Sequence, residues 1–179
     1  METFALKFNT VLLRLIFSPS GKRIQAKNAS LYPFCQLSVR GGGSINIGRN
    51  AQIHRGAMVV STYQSIISLG KDTTLQPYSI IHGIGDIIIG DNTRIASHCM
   101  IVSGDHRYID KNILIRKQGI QELPITIGSD VWIGSGVRVL GGSIIGNGCV
   151  VGAGSVVKGV LNPYAVYVGT PARKIRERA

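Results

Sequence analysis

Residues 127–157 read IGSDVWIGSGVRVLGGSIIGNGCVVGAGSVV, and this stretch decides the fold. Every sixth position is aliphatic: Ile127, Ile133, Val139, Ile145, Val151 and Val157. Four residues after the first five stand Val131, Val137, Ser143, Cys149 and Ser155, all small or β-branched. Glycine follows the aliphatic directly at Gly128, Gly134, Gly146 and Gly152. A period of six matches neither a helix nor simple strand alternation. It matches short strands joined by tight corners, each strand turning one aliphatic inward. Three such faces close a triangular coil of roughly 18 residues, and stacked coils bury a continuous aliphatic column.

The same phase runs upstream through Ile47, Ile53 and Val59, then Leu69, Leu75 and Ile81, then Ile89, Ile95 and Ile101. It slips in three places. The step from Val59 to Leu69 is ten residues, from Ile81 to Ile89 eight, and from Ile101 to Ile127 twenty-six. The last slip holds a charged segment, His106 to Pro124, that lacks the pattern; a loop this long in a compact repeat is functional or disordered. The sequence thus predicts an all-β protein: a parallel β-helix over residues 45–161, with an active-site loop at 106–124. Residues 1–44 are an N-terminal extension, partly helical, and residues 162–179 a basic C-terminal extension.

Of the 179 residues, 44% are hydrophobic, 16% are charged and 23 are glycine, while the formal charge is +11. That field attracts anions: an acidic glycan, an anionic membrane or a phosphorylated cofactor. No nucleic-acid module is present and no dense Lys/Arg run has interleaved aromatics, so no nucleic-acid partner is expected. Three cysteines without paired spacing point away from a disulfide framework, to a reducing, cytoplasmic setting. No stretch reaches the ~20 apolar residues of a membrane span. Residues 4–17 are apolar but interrupted by Lys7, Asn9 and Arg14; they suit a helix packed on the body or lying peripherally on an anionic inner membrane face.

The ordered set Ile101-Val-Ser-Gly-Asp-His106, Gln118-Gly119, Pro124 through Gly134, Val150 through Val157 and Val168-Gly-Thr-Pro-Ala-Arg-Lys-Ile-Arg176 resembles the hexapeptide-repeat acyltransferases. The similarity is to the galactoside and maltose acetyltransferase branch, and within it to bacterial surface-polysaccharide O-acetyltransferases. The resemblance covers Ile45 to Arg178 and implies a left-handed coil, an exception to the usual right-handed crossover. It also implies a homotrimer, acetyl-CoA as co-substrate, no metal, and transfer of acetyl to a sugar hydroxyl in surface-glycan synthesis. N-acetylation of an amino-sugar nucleotide would use the same coil, and a non-catalytic assembly module is the reading from another class.

The resemblance makes His106 the general base. Imidazole, with an ordinary pKa near 6.5, can take the proton of an attacking alcohol. Asp105 stands four residues after Ile101, where other ladders carry small residues; an inward carboxylate there is costly unless paired, and orienting His106 or capping a loop amide would each pair it. Trp132 sits at an outward position, where an interface aromatic is the plainer reading; the matching tryptophan of relatives borders the thioester and acceptor pocket. For the pantetheine arm the resemblance points to Gly134, Ser135, Gly152 and Ala153, and for the nucleotide phosphates to Lys158, Arg173, Lys174 and Arg176. Relatives carry Thr-Lys where this chain has Lys158-Gly159. On the acceptor side the candidates are His82, Gln76 and Asp86. The polar pair that holds the sugar in galactoside-type relatives falls near Gln76 and Ile84, so a simple galactoside is not supported. His54 and His98 read as surface or interface residues. A metal site of the γ-carbonic-anhydrase type needs closer histidine spacing than His98 and His106 offer.

Overall fold

The computed structural model of the protein describes residues 23–178, and among these it is a stack of triangular coils built from three parallel sheets. The first face has seven parallel strands, from Ile24–Gln25 through Ile87–Ile89 and Ile125–Ile127 to Val160–Leu161. The second has seven parallel strands, from Ser30–Leu31 through Trp132–Ile133 to Ala165–Val168, closed by an antiparallel eighth, Arg173–Glu177. The third has six: Gln36–Gly41, Met58–Tyr63, Ile80–Gly83, Met100–Val102, Arg138–Val139 and Val156–Val157. The described residues contain no α-helix, only the 3-10 turn Ile115–Lys117, and no helix long and apolar enough to cross a membrane. The apolar segment 4–17 lies outside the described residues.

The six-residue aliphatics form the core as their phase requires: Ile53, Leu75, Ile95, Ile133 and Val151 stack along the second face, each fully buried. The small residues four positions later also point inward, and their polar atoms tie one coil to the next. Thr93 Oγ1 donates to the Gly128 carbonyl at 2.9 Å, Ser79 Oγ to Ala96 at 2.8 Å and Cys99 Sγ to Gly134 at 3.1 Å. Ser, Thr and Cys recur at these sites because a buried corner carbonyl needs a donor and has little room for one. Cys99 and Cys149 are buried free thiols, and burial pushes both up from the ordinary thiol pKa.

The coil begins earlier than residue 45. Ile24 pairs with Ile45 and Leu31 with Ile53, so residues 24–41 form a full coil in place of a partly helical extension. Residues 165–168 likewise continue the second face past residue 161.

Every departure from six falls at one corner. From the first face to the second, and from the second to the third, each step between inward residues is six, from Ile47 onward. From the third face to the first, successive steps are ten (Leu37 to Ile47), ten (Val59 to Leu69), eight (Ile81 to Ile89), twenty-six (Ile101 to Ile127), six and four. The extra residues lengthen the third-face strands and stack into a widened edge. Buried serines fix it: Ser61 Oγ donates to the Ser65 carbonyl at 2.7 Å, Ser65 Oγ to Gly83 at 3.0 Å and Ser103 Oγ to Gly85 at 2.6 Å.

Truncating one inward aliphatic leaves a cavity that neighbouring coils hold open. Ile133→Ala should therefore cost about 2–5 kcal/mol, read as a lowered denaturant midpoint with an unchanged slope.

Candidate functional site

The widened corner carries the long loop. Its base is a two-stranded antiparallel ribbon, Gly104–His106 against Ile120–Glu122, in which His106 lies directly opposite Ile120. The Arg107 amide closes the neck on the Gly119 carbonyl at 3.0 Å. Gln118 then holds the loop: its Nε2 donates to the carbonyls of Asp110 (2.8 Å) and Ile113 (2.7 Å), and its Oε1 accepts from the Asp110 amide. The loop leaves Tyr108, Ile109, Leu114 and Ile115 more than half exposed.

His106 lines a cavity of about 550 Å³ with Asp105, Tyr108, Gln121, Leu123 and Lys158 among its walls. A second cavity, about 380 Å³, lies against the same ribbon and is lined by Arg40, Gly41, Thr62, Tyr63, His82, Ile84 and Ile120. His82 is half-buried; burial, and after it the charge of Arg40, holds its pKa below the usual imidazole value.

Three placements differ from the sequence reading. Asp105 is exposed, because the chain makes its inward corner two residues early at the fully buried Ser103. The carboxylate therefore carries no burial cost, and no hydrogen bond joins it to His106 among the described residues. Lys158 is separated from Arg173, Lys174 and Arg176. It stands in the His106 cavity with Nζ donating to the Gly141 carbonyl at 2.7 Å, whereas the other three lie exposed on the strand at the edge of the second face. Lys174 is paired with Glu177, and that pairing raises its pKa. Finally, Gln76 and Asp86 line neither cavity. Gln76 follows Leu75 on the second face, and Asp86 Oδ1 accepts from the Ile66 amide at 2.8 Å as a coil-to-coil brace.

Trp132 projects outward from the second face, 57% exposed, between Arg94 and Val150 of adjacent coils. Within one chain it does not line the His106 cavity. Gly134 and Gly152 sit where the backbone packs against the next coil: a Cβ on Gly134 would stand 2.7 Å from the Ala153 amide nitrogen, and one on Gly152 2.7 Å from Val168 Cγ1. Ser135 and Ala153, one residue on, are exposed and small, so that corner carries no bulky side chain. His54 and His98 stack on Tyr32 and Tyr78, with ring centroids 4.3 and 5.6 Å apart. The described residues hold no group of three metal-ligating side chains. The sequence reading missed Arg40 and Tyr63; the ten-residue step after Val59 was the available signal.

Comparison with known proteins agrees with this architecture. The bacterial transferase hexapeptide (six repeats) family matches residues 124–159. WbbJ of Escherichia coli strain K12, assigned as a lipopolysaccharide-biosynthesis O-acetyl transferase, is 32% identical over 172 residues, covering 92% of this chain and 87% of WbbJ. A probable acetyltransferase of Mycobacterium tuberculosis is 37% identical over 139 residues, 76% of this chain; the match spans only 43% of that relative. Among solved structures, AntD, an N-acyltransferase from Bacillus cereus in complex with dTDP and coenzyme A, superposes with a TM-score of 0.78 at 22% identity, over 96% of this chain and 91% of AntD. A galactoside acetyltransferase in complex with coenzyme A gives 0.59 at 32% identity, over 87% of this chain and 65% of the other. The chain belongs to the bacterial hexapeptide-repeat transferase family.

The geometry separates structural from surface roles at this site. Trp132→Ala and Ser135→Ala should leave folding stability within about 0.5 kcal/mol of the wild type, as surface changes do. Gly134→Ala should lower the unfolding midpoint clearly, because its Cβ meets backbone that cannot move without shifting a coil.

Proposed function

We propose that the protein transfers an acetyl group from acetyl-CoA to a sugar hydroxyl in the synthesis of a bacterial surface glycan. The observation that carries this reading is His106 at the neck of the ribbon, lining a cavity large enough for a sugar ring beside the thioester. Acetyl-CoA supplies the activated acyl group. The acceptor hydroxyl gives its proton to the His106 imidazole as its oxygen attacks the thioester carbonyl. Breaking the C–S bond then releases the thiolate, to which His106 returns the proton. Lys158 lies in the same cavity, where its ammonium would counter developing negative charge. Asp105, exposed beside His106, is retained as an orienting residue once substrate fills the cavity.

The corner at Ser135 and Ala153, held open by Gly134 and Gly152, suits a pantetheine arm, and Arg173, Lys174 and Arg176 are placed to meet phosphates. Trp132 would border the thioester from a neighbouring protomer. That arrangement calls for a homotrimer. The outward ladder of the first face, Ile66, Ile88, Ile144 and Val160, is apolar and exposed in one chain, as is the loop tip at Ile109 and Leu114, and closed rotational symmetry suits a three-faced prism. His82 faces the acceptor side, with Gln76 and Asp86 outside its cavity. A cytoplasmic protein, peripheral at the inner membrane face, would meet such a glycan.

Three measurements test this. His106→Asn should lower thiol release from acetyl-CoA by about 100-fold or more while leaving acetyl-CoA affinity nearly unchanged; full activity would remove His106 from the mechanism. Trp132→Ala should fold normally and lose turnover. Sedimentation at micromolar concentration should give three times the chain mass, and a stable monomer would contradict the shared site.

A further inference from the structure

We propose that the cavity around Arg40, Tyr63 and His82 binds an anionic group of the acceptor, a carboxylate or a phosphate, while the hydroxyl to be acetylated reaches His106. This rests on the acetyl-transfer reading and adds the charge class of the acceptor.

The cavity is a product of the widened corner. Arg40 and Thr62 are cross-strand neighbours, as are Gly41 and Tyr63, and His82 stands beside Val60 one coil further on. All belong to the lengthened ends of the third-face strands, residues that the bare repeat would not contain. Gly41 adopts a φ of 108°, and a Cβ there would stand 2.5 Å from the Tyr63 carbonyl oxygen, so the lip closes only with glycine at that position. Tyr63 itself is held at a φ of 54° with its side chain half exposed. A bulky residue in the left-handed region is uncommon, and an exposed one gains little core packing in return.

Charge decides which ligand the cavity takes. Among the described residues its walls carry Arg40 and His82 and no carboxylate. The neighbouring His106 cavity mixes Asp105 and Asp110 with Arg107 and Lys158. An anion is therefore drawn to the Arg40 side and away from the mixed one. Arg40 has no ion-pair partner among the described residues, so its guanidinium is available to grip an oxyanion in two-pronged fashion. The Tyr63 hydroxyl, Thr62 and the His82 ring add neutral polar groups, although Thr62 Oγ1 already donates to the Gly83 carbonyl at 2.7 Å. Ile120 lines this cavity and sits opposite His106 across the ribbon, where paired strands are about 5 Å apart. One sugar ring can thus present an acid group to Arg40 and a hydroxyl to His106.

The test is direct binding to the full-length protein, followed by NMR of the His82 ring with glucose, glucuronate and glucose 1-phosphate as probes. The two acids separate a carboxylate from a phosphate preference. At least one should shift the His82 signal saturably where glucose does not, and Arg40→Gln should weaken that binding about tenfold or more, with Arg40→Lys intermediate. Equal responses to glucose and to both acids, or undiminished binding in Arg40→Gln, would overturn the proposal. Because this readout needs no turnover, its failure is distinct from a failure of the acetyl-transfer reading, which would show as no thiol release with any acceptor in the wild-type protein.

Discussion

Strand register has to hold in three sheets at once, and the whole molecule is arranged around that demand. A slip of one residue inside any two-residue strand would turn its aliphatic outward and its polar neighbour inward, in that coil and against both adjacent coils. Two corners of the triangle accordingly keep the six-residue step without exception from Ile47 onward. Additional chain is accommodated only between the third face and the first. The molecule therefore has one permissive edge, and the loop, the ribbon and both cavities all lie on it.

Permissiveness needs its own support, because a widened corner exposes backbone that the ladders no longer satisfy. The serines at 61, 65 and 103 supply donors to the carbonyls at 65, 83 and 85, and no buried side-chain polar atom among the described residues lacks a partner. This network joins stability to chemistry. The ribbon that carries His106 starts one residue after Ser103, whose Oγ also accepts from the Ile84 amide at the rim of the second cavity. Lys158 contributes from further along, its ammonium bonded to the Gly141 carbonyl on the same side of the coil.

Most of the core was legible in the sequence, since a six-residue phase leaves little freedom: the inward aliphatics from Ile47 to Val157 and their small partners are buried as the spacing implies. What escaped is instructive. Ala26 stands where later coils have Ile or Leu, so the ladder of Leu31 and Leu37 was not joined to the repeat, although those two residues are six apart. Asp105 was counted inward because the phase was carried past Ile101 into a corner where it no longer applies. Lys158 was grouped with the C-terminal basic residues through sequence proximity, whereas one corner of the triangle separates them. His106 was legible from its motif; its neighbours across the ribbon were not, because Arg40 and Tyr63 precede it by two to three coils and no local pattern links them.

The strand Arg173–Glu177 bears on how such a molecule behaves in a crowded cell. A parallel ladder ending in bare amides and carbonyls invites the matching edge of another copy to dock and continue it. On the second face the last ladder position is instead occupied by a strand of reversed polarity bearing Arg173, Lys174, Arg176 and Glu177 in exposed positions. A parallel newcomer meets the wrong hydrogen-bond spacing and a row of charge, which are two independent obstacles to end-to-end polymerisation through that sheet.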